Sequence, residues 1–140
     1  MKKEILTIED CSAISYVISS VLKKDYTVTS VGNSVEAFAQ MQTASDKDLI
    51  ILNIPDSNSD NMKLLKHMSS SEVFNKIPTV VISNSDDPSL KDQTVELGAS
   101  LFLTKPFDPV YLSDKVKDLI YENGSVPPKK RKTLFHLNIF

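Results

Sequence analysis

The stretch "DLIILNIPDSNSDN" occupies residues 48–61. Its first half is an unbroken aliphatic run, too short for an ordinary helix and too apolar for a strand with one wet face. Such a run fits a strand buried on both faces at the centre of a parallel sheet. It ends on Asn53 and gives way to a polar loop. Open α/β sheets gather their chemistry at the carboxyl ends of their strands. The amide at position 53 therefore stands where a functional group is expected.

Working outward, short β-branched runs alternate with helically spaced ones, the pattern of a parallel sheet covered on both faces. Residues 4–8 ("EILTI") predict a first strand. Ile14, Val17, Ile18, Val21 and Leu22 predict an amphipathic helix over about residues 12–24. "YTVTSV" at 26–31 predicts a second strand, partly polar and so an edge candidate. Val35, Phe38 and Met41 predict one face of a helix over 34–43, and Met62, Leu65 and Met68 mark a third helix. "IPTVVIS" at 77–83 and "SLFLT" at 100–104 supply the fourth and fifth strands. Asp87-Pro88 and Asp108-Pro109 each place a capping carboxylate before a first-turn proline, and Gly98 and Gly124 sit where a left-handed residue ends a helix. Five βα units with right-handed crossovers predict a doubly wound, flavodoxin-like parallel sheet of five strands with five helices.

The totals agree. The chain of 140 residues is 41% apolar and 24% charged, enough for one core and one domain. The net charge of -2 divides into a body over residues 1–126 at -6 and a tail over 127–140 at +4. An acidic body argues against nucleic-acid binding by this fold, since phosphate rewards clustered Lys and Arg. The lone Cys11 excludes an intrachain disulfide and fits a reducing compartment. No apolar run approaches the roughly 18 residues of a membrane span, and no signal peptide is legible, so a cytoplasmic protein is expected.

Four groups should meet at the carboxyl edge: Glu9 with Asp10, Asn53, Ser83 and Lys105. Adjacent carboxylates in a crevice repel, and call for a hard cation with oxygen ligands or for a lysine ammonium. Each has an ordinary structural use when taken singly: the acidic pair as a cap or solvated face, Ser83 as a core hydroxyl, Lys105-Pro106 as a turn. Their coincidence at successive strand ends is what points to a site.

On these residues the chain resembles the receiver domains of two-component response regulators. "ILTIEDC" is similar to the first strand with its acidic pair, "DLIILN" to the strand that carries the phospho-accepting aspartate, "TVVISN" to the strand that ends in a hydroxyl residue, and "GASLFLTKPF" to the Lys-Pro segment. The resemblance covers about residues 2–122 and implies a phosphorelay signalling module, not an enzyme. It further implies that Glu9 and Asp10 hold Mg²⁺, that Ser83 and Lys105 contact a phosphoryl group, and that Phe102 is the aromatic switch residue. The implied partners are a histidine kinase or downstream effector, met through the fourth helix, fifth strand and fifth helix; a homodimer is one form such contact could take.

The departures bear on function. Asn53 stands at the nucleophile position, and an amide cannot form the acyl phosphate that a carboxylate forms. Glu9, Asp10 and Lys105 leave -1 where the usual three carboxylates and one lysine leave -2, so Mg²⁺ binding, with Asn53 as a third ligand, is expected to be weak or absent. Ser57 and Asn61 replace the family's usual proline and glycine in the following loop, Asn61 being expected to tolerate a left-handed conformation. Asn84 replaces a small residue beside the crevice. These neighbouring changes argue for divergence, the alternative being an inactive variant of an ordinary Mg-dependent receiver. A small-ligand module is a third reading, disfavoured by the lack of a Gly-rich phosphate loop.

Residues 1–123 are thus read as the receiver-like domain and 124–140 as a basic and apolar tail. "KKRK" reads as a solvated linker; it also looks like a nuclear-import or anionic-lipid motif without other support. Phe135, Leu137, Ile139 and Phe140 carry apolar surface that could dock on the domain or add to a partner's sheet. His136 reads as a spacer and His67 as a surface residue.

Overall fold

The computed structural model describes residues 2–43 and 46–121. Ten elements alternate along the chain: β1 Lys3–Ile8, α1 Ser12–Leu22, β2 Tyr26–Val31, α2 Ser34–Thr43, β3 Leu49–Asn53, α3 Asp60–Ser70, β4 Thr79–Ser83, α4 Pro88–Glu96, β5 Leu101–Thr104 and α5 Pro109–Tyr121. The strands form one parallel sheet in the order β2-β1-β3-β4-β5. This is the expected doubly wound, flavodoxin-like architecture. The tail expectations, Gly124 included, lie outside the described residues.

Burial explains the strand order. Every residue of β3 and β4 is buried, as two-sided apolar strands require, and β3 lies between β1 and β4. β2 exposes Thr27 and Ser30 and takes the edge, where unpaired backbone is best left among polar side chains. Ile5, Leu6 and Ile8 join Leu49–Leu52 and Val80–Ile82 in the sheet's core, sealed by Ile18, Leu22, Met62, Leu65, Leu112 and Val116 from the helices. At the opposite edge from the crevice, the Glu4 N–H donates to Asp48 Oδ2 at 2.7 Å while the Asp48 N–H donates to the Glu4 carbonyl at 2.8 Å, which pins β1 against β3.

Helix ends follow their caps. Asp87 Oδ1 accepts from the Ser89 N–H at 2.9 Å ahead of α4, and Asp108 Oδ1 accepts from the Val110 N–H at 2.9 Å ahead of α5. β4 starts at Thr79, after the expected Ile77, because Pro78 has no N–H to give the ladder; its carbonyl alone is used, by the Ile50 N–H. Gly98 follows α4 with φ +94°, the left-handed turn expected of it. Gly98→Ala would meet no steric neighbour. Its cost is then the backbone's alone, about 1–2 kcal/mol, and should appear as a lower urea midpoint with an unchanged slope.

Two expectations need correcting. The apolar face of α2 does not turn inward as a unit: Ala37 is fully buried, while Val35 is 78% and Phe38 40% exposed. A small side chain lets α2 lie close to the sheet, and the larger residues on either side are carried outward. Asn61 adopts no left-handed conformation, because positive φ among the described residues belongs to glycine alone; it is helical, in the first turn of α3. No helix among the described residues is long and apolar enough to cross a membrane.

Candidate functional site

The carboxyl edge of the sheet is built by short extensions of the strands. The Glu9 N–H donates to the Val31 carbonyl at 3.0 Å, which carries β1 pairing one residue beyond its end and points the chain into α1. The Glu9 side chain is only 2% exposed. Its Oε2 accepts from the Cys11 N–H at 3.1 Å, and its Oε1 lies 2.9 Å from Lys105 Nζ. That second contact is a charge pairing off the hydrogen-bond direction, so Oε1 retains acceptor capacity. Asp10 is exposed at the rim.

Asn53 ends β3 and is 8% exposed. Its Oδ1 is buried and accepts no hydrogen bond from the described residues, an unmet demand of the kind that usually costs a folded protein about 1–3 kcal/mol. Its backbone carbonyl accepts from Asn61 Nδ2 at 2.6 Å. Ser83, fully buried at the end of β4, uses Oγ to accept from the Ser85 N–H at 3.1 Å and its carbonyl to accept from the Lys105 N–H at 2.7 Å. That last bond sets Lys105 beside the end of β4. The Lys105-Pro106 peptide bond is cis. Phe102, paired in register with Val81, is 9% exposed and packed into the core, and Asn84 is exposed.

The fold thus brings Glu9 and Lys105 into contact and sets Asn53 and Ser83 at the ends of adjacent strands, Asn53 in register with Ile82. Asp10 and Asn84 stand at the rim. Asn61 was missed as a structural partner, since its place in the loop gave no sign that its amide would reach back eight residues to the β3 terminus. The groups at this edge are oxygen ligands and one ammonium, the ammonium in contact with Glu9. Glu9, Asp10 and the unmet Asn53 oxygen are hard ligands suited to a divalent cation such as Mg²⁺. No group of three or more His, Cys, Asp or Glu among the described residues makes a ready metal site, and Lys105 already stands against the buried carboxylate.

Comparisons with known proteins agree with this geometry. A family model described as the response regulator receiver domain matches residues 5–117. The transcriptional regulatory protein KdpE of Staphylococcus aureus is 30% identical over 119 residues, covering 84% of this chain and 49% of that protein. The alkaline phosphatase synthesis regulator PhoP of Bacillus subtilis is 26% identical over 129 residues, covering 91% and 52%. A protein-glutamate methylesterase/protein-glutamine glutaminase of Halalkalibacterium halodurans is 29% identical over 136 residues, covering 92% and 38%. The chain therefore spans about half, or less, of these curated relatives. Among solved structures, the signal receiver domain of a histidine kinase from Syntrophus aciditrophicus superposes with a TM-score of 0.77 at 26% identity, covering 89% of this chain and 95% of that one. A CheY-like receiver domain protein from Methanospirillum hungatei also gives 0.77, at 20% identity with 87% and 96% covered, a likeness of fold. With five parallel strands, an acidic pair after the first and a lysine after the last, the chain belongs to the response regulator receiver domains of two-component signalling.

Proposed function

We propose that this receiver domain signals through protein contacts without accepting a phosphoryl group at position 53. The observation that carries the reading is Asn53 itself, buried at the end of the central strand with its Oδ1 unmet, while Lys105 is drawn to Glu9 instead. An amide nitrogen is delocalised and the amide oxygen is a poor nucleophile, so no acyl phosphate forms there. Glu9, Asp10 and Asn53 would hold Mg²⁺, whose contribution when bound is to offset charge on a transferring phosphoryl group. With a net charge of -1 across Glu9, Asp10 and Lys105, that binding is weak. Ser83 and Lys105 keep the positions of phosphoryl contacts, and their retention supports the second reading, an inactive variant of an ordinary receiver.

Without covalent input, the equilibrium between conformations is set by sequence and by partners. Phe102 fits this role: it packs inward and has no hydroxyl to satisfy. The face formed by α4, β5 and α5 exposes Val110 and Tyr111, with Lys115 Nζ 5.5 Å from the Tyr111 ring centre, and is the surface this proposal gives to a histidine kinase or effector. Incubation with Mg²⁺ and a small phosphodonor is expected to leave the chain unlabelled, as read by intact mass and by hydroxylamine-sensitive label. Stoichiometric acyl phosphate at the carboxyl end of β3 would overturn the proposal.

A further inference from the structure

The seam between α2 and α3 carries the apolar surface that the receiver site does not use. Val35 and Phe38 project from α2, and the His67 ring stacks edge-on to Phe38 at 5.3 Å and lies 6.4 Å from Phe74. One shallow hollow of about 470 Å³ opens among Val35, Phe38, Leu64 and His67, and another of about 220 Å³ among Met41, Val73, Phe74 and Ile77. Phe38, His67 and Phe74 join them into one strip, and Val73 adds a side chain 74% exposed. A connected apolar strip on a domain surface marks something that covers it.

We propose that residues 135–140 of this same chain dock along the α2–α3 strip, Phe135, Leu137 and Ile139 entering the two hollows. Two observations favour this occupant. The strip's lower hollow is made by residues that precede β3 and β4, so it lies at the amino edge of the sheet. The end of α5 lies at that edge too, since α5 starts beyond the carboxyl end of β5 and its 13 residues run back along the sheet. Residues 122–134, about 13 in number, can span roughly 45 Å when extended, more than the diameter of a domain this size.

The second observation is sequence pattern. Residues 135, 137 and 139 alternate as in an extended segment that sends one row of side chains to one surface. Six extended residues measure about 20 Å, comparable with the roughly 15 Å length of a ten-residue helix such as α2. A short tether also raises the local concentration of the segment to the millimolar range, which a second copy at micromolar concentration does not match.

The two histidines make the test direct, since His67 lies in the strip and His136 in the segment. In the full isotope-labelled chain, NMR contacts are expected between the rings of His67 or Phe38 and the methyl groups of Leu137 or Ile139, unchanged on dilution. The triple variant Phe135→Ser/Leu137→Ser/Ile139→Ser should lose them, and amide exchange at the end of α3 and at Phe74 should accelerate about tenfold or more. Phe38→Ser, altering the other partner at an exposed position, should abolish the same contacts. Unchanged exchange in the triple variant overturns the proposal, and so do contacts found only between labelled and unlabelled chains in a mixed sample, which would make the occupant a second copy.

Discussion

Asn53→Asp is expected to destabilise the metal-free domain by about 2 kcal/mol and to strengthen Mg²⁺ binding by a factor on the order of ten or more. Both effects follow from one charge. Asn53 is 8% exposed and lies on the edge that already holds Glu9 and Asp10, with Lys105 committed to Glu9 at 2.9 Å. A third carboxylate there has no cation left to meet it and loses water as well. Mg²⁺ reverses the balance. Two unit charges about 4 Å apart at a protein surface attract by roughly 4 kcal/mol, and a divalent ion doubles that. Most of the gain is offset by dehydrating the ion, and a residue of about 1.4 kcal/mol is enough for a tenfold change.

The two effects are linked, which makes the test sharp. Mg²⁺ at about a hundred times its dissociation constant should stabilise the variant by roughly 2.7 kcal/mol, cancelling its defect, while the same concentration should hardly move the melting midpoint of the parent. Calorimetric titration reads the affinity and thermal unfolding reads the stability. Equal millimolar affinity in both proteins would show that the site has diverged beyond position 53. Exposing the Asn53→Asp protein to a small phosphodonor then separates the two readings of the site. Ready labelling points to an ordinary receiver held inactive by one residue, and a variant that binds metal yet stays unlabelled points to a crevice altered as a whole.

How much of this was legible beforehand depended on the range of the interaction concerned. β2, α2 and the order of elements could be read from local signals, because β-branched runs, Asp-Pro caps and Gly98 act within a few residues of themselves. The central place of "DLIILN" followed from its having no polar face. The strand ends that carry Glu9, Asn53, Ser83 and Lys105 followed from topology, since parallel βα units put all carboxyl ends on one edge. What escaped was the choice of partner. The acidic pair's demand for an ammonium pointed to Lys105, but nothing in the sequence said which carboxylate it would meet, or that the Asn61 amide would hold the Asn53 carbonyl. The exposed face of α2 escaped for a similar reason: Val35 and Phe38 fit a helical stripe, yet which side of a helix meets the sheet depends on how close the backbone must come, and Ala37 permits the closer approach.

Lys105→Ala is expected to cost about 2–3 kcal/mol of stability, and adding Glu9→Gln is expected to return most of it. The asymmetry lies in what each change leaves behind. With Lys105 gone, the Glu9 carboxylate keeps the Cys11 N–H at 3.1 Å as a partner but loses the ammonium, and at 2% side-chain exposure it has almost no water to turn to. The expected loss sits below the full penalty of a broken buried pair because the Lys105 side chain is 17% exposed and partly screened. A glutamine at position 9 still offers an oxygen to the Cys11 N–H while removing the stranded charge. Urea denaturation of both single variants and the double variant closes the cycle, and simple additivity of the two losses would sink the pairing argument. The outcome bears on signalling. An ammonium held by a buried carboxylate is not free to meet an incoming anion until that pair opens. A large coupling between Glu9 and Lys105 would mean that this pair, in a domain proposed to carry an amide at the nucleophile position, resists the rearrangement that phosphorylation would otherwise drive.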